Sequence, residues 1–365
     1  MTHTVTVTGY NSDGEGVSRL EDGRVVFIRG AARGDVLEIS IVWEHSKIAR
    51  AKIVRAISSS PVRIEADCPV YPMCGGCDYR HITYEEELTA KLQCVNDALR
   101  RIGGLSVEVK EILHTEQING YRNKAVLHSN GTSFGFYKAG SRDIVPIEHC
   151  LLLKDDLNNA IRELNPNAAR LPGNLTLRSG RNGICVPLEE ELDGLVFKVE
   201  GFFQVNKNAA LLLFQKAREY AALTKDDTML DLYCGVGALT LFVGRDAGYA
   251  LGIEQNPDAV KTAQENAQRN SFSHIDFVNA DAADWVSDIT EPDCIIVDPP
   301  RKGLSQGAVR KILELSPKRL VYISCNPATL ARDIKMLKGY TVSEICAVDM
   351  FPRTANIECC CLLSM

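Results

Sequence analysis

The sequence predicts an α/β protein with a small β-barrel at its N-terminus and a mostly parallel sheet at its C-terminus. From about residue 207 onward, apolar strand patterns alternate with helical patterns, which is typical of a parallel sheet covered by helices. The first 58 residues contain only short alternating runs separated by glycine turns. Because 365 residues exceed one ordinary core, we expect three domains, at 1–58, 59–206 and 207–365.

Composition and charge exclude several classes of function. The chain is 45% apolar and 24% charged, and its net charge of −6 excludes polyanion binding through bulk electrostatics. Nucleic-acid contacts would therefore depend on local basic patches. No apolar run reaches the roughly 18 residues of a membrane helix, and no secretory signal is visible. We expect a cytoplasmic monomer without a membrane partner.

The N-terminal strand pattern is that of a β-barrel of the OB type. Its acidic and basic residues nearly balance, but one face is expected to carry Arg24, Arg29, Arg33 and Lys47. Such a face is suited to tracking the phosphate backbone of a nucleic acid. A solvated barrel surface explains the same charges equally well.

Three closely spaced cysteines, Cys68, Cys74 and Cys77, predict a metal or iron–sulfur site. The two glycines between the last two let the backbone wrap around one centre, and thiolates select zinc or iron clusters. Thirteen cysteines in a chain without an export signal also favour metal binding over a disulfide framework. A fourth ligand is required, and the candidates are Cys94, in a helical pattern, and Cys150, which is favoured because its context is a loop.

Residues 118–150 combine strand patterns with basic and aromatic side chains. Such a mixture is suited to stacking bases and holding phosphates, although a structural sheet explains the aromatic residues equally well. The residues concerned are Arg122, Lys124, Tyr137, Lys138 and Arg142.

The C-terminal part contains the pattern of a nucleotide-type site. An apolar strand leads through Asp231 and Tyr233 into a Gly-x-Gly turn that opens a helix, and the next strand ends in Glu254. Glu254 is placed to accept ribose hydroxyls, and Asp281, at a third strand end, to meet an adenine. A nicotinamide cofactor is the alternative, but the acidic turn suits a cationic sulfonium better than a pyrophosphate. S-adenosylmethionine is the predicted ligand.

A thiol at the end of a later strand is the candidate reactive group. Cys325 ends the apolar run 321–325, and Asn326-Pro327 prevents the strand from continuing. The carboxyl ends of strands in open α/β sheets present reactive groups to a crevice. The alternative for a lone cysteine is a small buried hydrophobic residue.

Several motifs together resemble those of the RNA uridine-5-methyltransferases, which form 5-methyluridine in 23S ribosomal RNA and in tRNA. The similarity covers nearly the whole chain and keeps the family's motif order. The N-terminal part resembles a TRAM domain, and the four cysteines including Cys150 resemble the family's [4Fe–4S] site. The remaining motifs are 203–206 (Phe-Gln-Val-Asn), 231–237, 298–301 (Asp-Pro-Pro-Arg), 324–327 and 351–358.

The resemblance implies a Rossmann-like class I methyltransferase domain and assigns roles to single residues. Cys325 would be the nucleophile and Glu358 the general base. The S-adenosylmethionine site would be lined by Gln204, Tyr233, Glu254 and Asp298. The expected substrate is RNA, with 23S ribosomal RNA favoured over tRNA because the cluster and the barrel occur together.

Two positions depart from the family pattern. Ala238 stands where many members have Asn or Thr, and Asn356 where a His is usual, so neither role carries over. The run Cys359-Cys-Cys361 is predicted to be a buried strand, because consecutive strand residues point to opposite faces and cannot share a metal.

Two other classes of function compete with this hypothesis. An adenine-N6 methyltransferase would use the motif 298–301 to bind an amine and would need no thiol. A non-catalytic iron–sulfur RNA-binding protein would bind RNA without S-adenosylmethionine, which leaves Glu254, Cys325 and Glu358 unexplained.

Overall fold

The N-terminal part of the chain is a strongly curved six-stranded sheet. The computed structural model describes residues 2–184, 188–285 and 289–365. The sheet order is β1-β5-β6-β4-β3-β2. Its strands are β1 (Thr2–Thr6), β2 (Gly9–Tyr10), β3 (Gly16–Arg19), β4 (Val25–Ile28), β5 (Val36–Glu44) and β6 (Ile48–Ser58). Alternate side chains fill the interior, as the period-2 pattern predicts, with Val26, Ile28, Leu37 and Ile39 fully buried.

Two of the four basic residues expected on one face of this barrel pair with carboxylates. Arg24 pairs with Asp22 at 2.7 Å and with Glu44 at 2.6 Å. Arg33 makes two hydrogen bonds to Glu86, which lies outside the barrel. Both guanidinium groups thus have carboxylate partners, which leaves less of their charge for a phosphate backbone, and the four-residue face stays a prediction.

The central part of the chain contains a helix followed by a second, four-stranded sheet. The helices are α1 (Tyr84–Ala98), continued by a π-helical turn at Leu99–Gly103, and α2 (Asp155–Leu164). The sheet order is β10-β9-β8-β11, all antiparallel. Its strands, with the short β7 that precedes them, are β7 (Ile112–Leu113), β8 (Lys124–Ser129), β9 (Phe134–Tyr137), β10 (Ile144–Pro146) and β11 (Asn174–Arg178).

The C-terminal part is an eight-stranded sheet in the order β16-β15-β14-β17-β18-β20-β19-β7. A two-stranded ribbon, β12 (Glu189–Leu192) and β13 (Leu195–Lys198), precedes it. The strands are β14 (Thr228–Leu232), β15 (Tyr249–Glu254), β16 (Ile275–Asn279), β17 (Cys294–Val297), β18 (Arg319–Ser324), β19 (Thr341–Val348) and β20 (Glu358–Ser364). The helices are α3 (Lys207–Ala221), α4 (Ala238–Gly244), α5 (Pro257–Arg269), α6 (Gln306–Leu315) and α7 (Pro327–Met336).

Strands β14 to β18 are parallel, as the alternating pattern predicts, and the chain order reverses between β14 and β17. A crevice therefore opens at the carboxyl ends of these two strands. Each face of the sheet has its own apolar core. Cys360 packs in one core, while Cys359 and Cys361 pack in the other, which confirms the prediction of a buried strand with alternating faces.

Residues 84–113 pack against the C-terminal sheet rather than only against the cysteine-rich part. Strand β7 pairs with β19, and Val95 and Leu99 join the core under α6 and α7. The boundary predicted at 206/207 does not account for this segment, since its placement depends on long-range packing that a local pattern does not show. Within the described residues, no helix is long and apolar enough to cross a membrane.

A buried ion pair network joins α1 to the loop between β19 and β20. Lys91 Nζ donates to Glu87 Oε1 and to Asp349 Oδ1, both at 2.7 Å, and all three side chains are inaccessible to solvent. Lys91 also donates to the carbonyl of Phe351 at 3.2 Å. Lys91 therefore links two buried carboxylates and holds the loop that precedes β20, and Arg353 Nη1 of that loop lies 3.7 Å from Glu87 Oε2.

Replacing Lys91 by Ala is expected to destabilise the protein by about 3–5 kcal/mol, because it leaves the buried Asp349 without a cation and Glu87 with only the more distant Arg353. Urea unfolding followed by circular dichroism measures this. Lys335→Ala, on the exposed side of α7, is the matched control and should change the unfolding free energy by less than about 0.5 kcal/mol. Equal midpoints for the two variants would contradict the role given to the network.

Candidate active site

The structure brings Cys325 and Glu358 together at one edge of the sheet. β18 ends at Ser324, which pairs with Cys359 of the antiparallel neighbour β20. One residue further along this register, Cys325 lies opposite Glu358, the first residue of β20. Directly opposed residues of an antiparallel pair project to the same side. The predicted nucleophile and the predicted base thus reach the same place from sequence positions 33 residues apart.

The thiol of Cys325 lies in a tight turn between β18 and α7. Ser324 Oγ donates to the Asn326 carbonyl at 3.1 Å and accepts the Asn326 N–H at 3.2 Å. The Asn326 side chain then caps α7 by accepting the Ala328 N–H at 3.0 Å. Cys325 itself is only half-buried. The turn therefore holds a thiol that reagents can reach.

Neighbouring charges act on this thiol in opposite directions. Burial and the carboxylate of Glu358 raise the pKa of Cys325, while the positive charge of the nearby Arg301 side chain lowers it. Arg301 Nη2 also donates to Asn356 Oδ1 at 2.5 Å. Arg301 was not predicted as a site residue, although its place in the Asp-Pro-Pro-Arg motif is a sequence signal for it.

Two carboxyl groups near the thiol have raised pKa values. Glu358 is 6% exposed, and burial raises the pKa of its carboxyl well above the usual range, with the charge of Asp298 adding to the effect. Desolvation likewise raises the pKa of Asp298 to about 7. A carboxyl group with such a raised pKa is a stronger base than an ordinary surface carboxylate.

The glycine turn after β14 forms the second part of the site. Tyr233 has a left-handed backbone, with φ +74°, which is uncommon for a residue with a side chain and typical of ligand-binding turns. The Gly235 N–H donates to Glu254 Oε2 at 3.1 Å, and the other oxygen of Glu254 accepts the Asn256 N–H at 2.8 Å. Glu254 is thus fixed at the end of β15, as predicted.

Asp231 carries an unpartnered oxygen beneath this turn. Its Oδ2 accepts the Thr240 hydroxyl at 2.6 Å, whereas the buried Oδ1 has no hydrogen-bond partner in the structure. Burial raises the pKa of Asp231 to about 8. Asp231 and Asp298 both line this cleft, and a cationic ligand such as a sulfonium would stabilise the charged forms of these carboxyl groups.

Gln204, Tyr233 and Asp298 line the same cleft, as the sequence predicts, and Asp281 lies near Tyr233 but is exposed. Phe202 also lines the cleft and is 70% exposed, although it was not predicted as a site residue. The sequence signal available for Phe202 was an aromatic residue directly before the motif at 203–206. The departure at Ala238 lies on the wall of this cleft.

A second, larger cavity of about 720 Å³ brings the four predicted cysteines together. Cys68, Cys74, Cys77 and Cys150 all line it, and the alternative ligand Cys94 lies on α1 outside it. In the described parts of the chain, no three acidic, His or Cys side chains converge closely enough to bind one metal ion. A four-iron cluster takes one thiolate at each iron, so its ligands stand further apart than those of a single ion.

Hydrogen-bond donors surround these thiols. Arg80, almost completely buried, donates from Nε to Cys77 Sγ at 3.3 Å and from Nη1 to Asp67 at 2.7 Å. The N–H of Gly76 faces Cys74, and those of Leu152 and Leu153 face Cys150; each lowers the pKa of its thiol against the stronger effect of burial. Four thiols with N–H donors fit an iron–sulfur cluster, whose sulfurs accept such bonds.

The wall of this cavity is basic and aromatic. Arg122 and Lys124 line it, and burial together with the neighbouring cations Arg178 and Arg122 lowers the pKa of Lys124. The ring of Tyr137 stacks on His128 with centroids 3.8 Å apart. Phe202 and Gln204 line this cavity as well as the acidic cleft, so the two spaces adjoin.

Three family models match the chain. The tRNA (Uracil-5-)-methyltransferase model matches residues 286–365, the methyltransferase small domain model matches 204–322, and the TRAM domain model matches 1–54. Together they cover the barrel, the glycine turn and the strands that carry Cys325 and Glu358.

Curated relatives match over nearly the full length. A protein of Bacillus cereus named as an uncharacterized RNA methyltransferase is 32% identical, over 96% of this chain and 94% of the relative. One from Clostridium tetani is 29% identical, over 100% and 96%. Among solved structures, the Pyrococcus abyssi tRNA (uracil-54, C5)-methyltransferase in complex with S-adenosyl-L-homocysteine is 25% identical, with a TM-score of 0.78 over 98% of this chain and 99% of that one.

The fold and the acidic cleft thus define a Rossmann-like, S-adenosylmethionine-dependent methyltransferase preceded by a TRAM domain. Within that class, the chain belongs to the RNA uracil-5-methyltransferase family.

The opposing charges around Cys325 predict that two substitutions shift the pKa of its thiol in opposite directions. Glu358→Gln removes a negative charge and should lower the pKa of the thiol, while Arg301→Met removes a nearby cation and should raise it. The pH dependence of iodoacetamide alkylation, read at the Cys325 peptide by mass spectrometry, measures both. Since the thiolate is the reacting form, alkylation at a fixed alkaline pH should be faster than wild type in the first variant and slower in the second. Shifts in the same direction would contradict this arrangement.

Proposed function

We propose that this protein forms 5-methyluridine in 23S ribosomal RNA, with Cys325 as the nucleophile and Glu358 as the general base. The observation that carries the proposal is the apposition of these two residues across β18 and β20, beside the acidic cleft. A thiol and a carboxyl group at one point are what methylation of a carbon in a pyrimidine ring requires.

The chemistry needs covalent catalysis because C5 of uracil is a weak carbon nucleophile. Addition of the Cys325 thiolate to C6 converts the ring to an enolate, whose electron density lies at C5. Arg301, a cation near the thiol, supports its ionisation. After C5 has taken the methyl group, Glu358 removes the proton that remains on C5, and the C6–S bond breaks to release the thiolate.

S-adenosylmethionine supplies the methyl group when bound. In this proposal Gln204, Tyr233, Glu254 and Asp298 hold it, with Glu254 accepting from the ribose and Asp281 meeting the adenine. The unpartnered Oδ1 of Asp231 and the acidity of the cleft support a cationic ligand. Asp298 lines the cleft, and its charge raises the pKa of both Cys325 and Glu358.

RNA would enter through the basic cavity next to the cleft. Arg122 and Lys124 are placed to meet phosphates, and Phe202 offers an exposed ring on which a base can stack. The target uridine must leave its stack to reach a thiol in a crevice, so a loop or splayed segment of RNA is the expected substrate. The TRAM domain would hold the flanking RNA.

The cysteine cavity is proposed to hold a [4Fe–4S] cluster through Cys68, Cys74, Cys77 and Cys150. Burial raises the pKa of the Cys77 thiol to about 12, and a bound cluster would favour its thiolate form. The N–H donors around the thiols support the same assignment.

Two substrates compete within the family. The joint presence of the cysteine cavity and the barrel supports 23S ribosomal RNA, whereas the similar Pyrococcus abyssi structure is that of a tRNA enzyme and supports tRNA. The chemistry proposed for Cys325 and Glu358 is the same on either RNA. An adenine-N6 enzyme needs no thiol, and a non-catalytic cluster protein needs neither the thiol nor the acidic cleft.

RNA that carries 5-fluorouridine is expected to become covalently attached to Cys325, because fluorine at C5 cannot leave as a proton does and the C6–S bond then persists. Denaturing electrophoresis and peptide mass spectrometry measure the adduct. Cys325→Ala should lose both adduct and turnover while it still binds S-adenosylmethionine by calorimetry. Normal turnover by this variant would refute the proposed nucleophile.

Glu358→Gln is the matched variant for the second step. It keeps the thiol and the shape of the site but lacks the base, so methylated natural RNA should stay attached to the protein. Release of free methylated RNA at the wild-type rate would show that Glu358 is not the base.

Removal of iron by a chelator under reducing conditions is expected to loosen residues 60–83 and 118–153 more than strands β14–β18, because only the former surround the cysteine cavity. Hydrogen exchange with mass spectrometry measures both regions in one sample. Equal loss of protection in both would contradict a local structural role for the cluster.

A further inference from the structure

The loop that leads into Glu358 is held by the residue that follows Cys77. This loop, residues 349–357 between β19 and β20, is called the base loop below. Asp78 Oδ2 accepts the Ala355 N–H at 2.9 Å, and the Asp78 N–H donates to the Arg353 carbonyl at 2.9 Å. Two bonds in opposite directions thus clamp the base loop to the cysteine segment.

Other contacts leave the base loop little freedom at this point. Arg353 has a left-handed backbone, with φ +70°, and its N–H donates to the buried Glu87 at 2.7 Å. On the barrel side, a Cβ added to Gly14 would lie 2.8 Å from Asp78 Cβ and 3.2 Å from Ala355 Cβ. The barrel, the cysteine segment and the base loop therefore meet in close packing around Asp78.

The clamp lies one residue from a contact of the active site. Asn356, next to Ala355, accepts the short hydrogen bond from Arg301, and Arg301 lies close enough to Cys325 for its charge to lower the pKa of the thiol. Two residues further on, Glu358 begins β20. A displacement of Ala355 would therefore shift the partner of Arg301 and the start of the strand that carries the base.

We propose that Asp78 is a positioning residue that couples the cysteine site to the active site through the base loop. It touches no substrate. Its backbone is continuous with Cys77, so the order of the cysteine segment sets the order of the base loop and the alignment of Arg301 and Glu358 with Cys325. The inference rests on the proposed function for its catalytic consequence, but the clamp itself is a property of the fold.

The test compares Asp78→Ala with Asp78→Asn. Alanine removes the acceptor of the Ala355 N–H, whereas the amide oxygen of asparagine can still accept it. We expect exchange of the base-loop amides to rise about tenfold in Asp78→Ala, as for loss of one buried hydrogen bond, and to stay near wild type in Asp78→Asn. The kcat should fall by a similar factor in Asp78→Ala with an unchanged affinity for S-adenosylmethionine. Asp143→Ala, an exposed carboxylate near the cysteine cavity, is the control and should alter neither.

Removal of iron, alone and combined with Asp78→Ala, tests whether the two changes act through the same connection. Chelation of wild-type protein should raise exchange of the same amides, and chelation of Asp78→Ala should add little, because the connection is already broken. Four outcomes would each overturn the inference. The first two are that chelation and Asp78→Ala raise base-loop exchange additively, and that the wild-type protein contains no iron. The other two are that Asp78→Ala leaves base-loop exchange unchanged, and that Asp78→Ala and Asp78→Asn lose equal amounts of kcat. If wild-type protein makes no 5-methyluridine, the proposed function fails, while base-loop exchange still reports on the clamp.

Discussion

The active site depends on the direction of one strand. β14 to β18 are parallel, so their carboxyl ends meet at one edge of the sheet, and the antiparallel β20 brings its amino end to that edge. Glu358, the first residue of β20, therefore arrives beside Cys325, which follows the last residue of β18. In a parallel β20 the same carboxyl would lie at the opposite edge, roughly 20 Å away for a strand of this length.

Acidic and basic side chains lie in two adjoining spaces. Asp231 and Asp298 line the cleft below the glycine turn, which favours a sulfonium, while Arg122 and Lys124 line the adjoining cavity, where the proposal places RNA. A thiolate next to acidic groups is unfavourable, and Arg301 is the cation that offsets this. A protein with a net negative charge can therefore offer RNA a local basic patch, which is the kind of contact that its composition left open.

Local patterns predicted much of this structure, and long-range packing accounts for what they missed. Strand alternation, the glycine turn and the cysteine spacing depend on neighbouring residues, and each of these features is present. The attachment of α1 and β7 to the C-terminal sheet, and the pairing of Arg33 with Glu86, join residues far apart in the chain, which no local pattern shows. Asp78 was missed for the same reason, because its partners lie about 275 residues further on.

The identity of the methylated nucleoside tests the central claim most directly. Ribosomal RNA and tRNA from cells that lack this protein are incubated with it and labelled S-adenosylmethionine, and the nucleosides are separated by mass spectrometry. Labelled 5-methyluridine is the predicted product, and the proposed substrate requires it in 23S ribosomal RNA; label in tRNA alone would keep the chemistry and change the substrate. Label in N6-methyladenosine, or no label from protein with its iron intact, would contradict the account of Cys325 and Glu358.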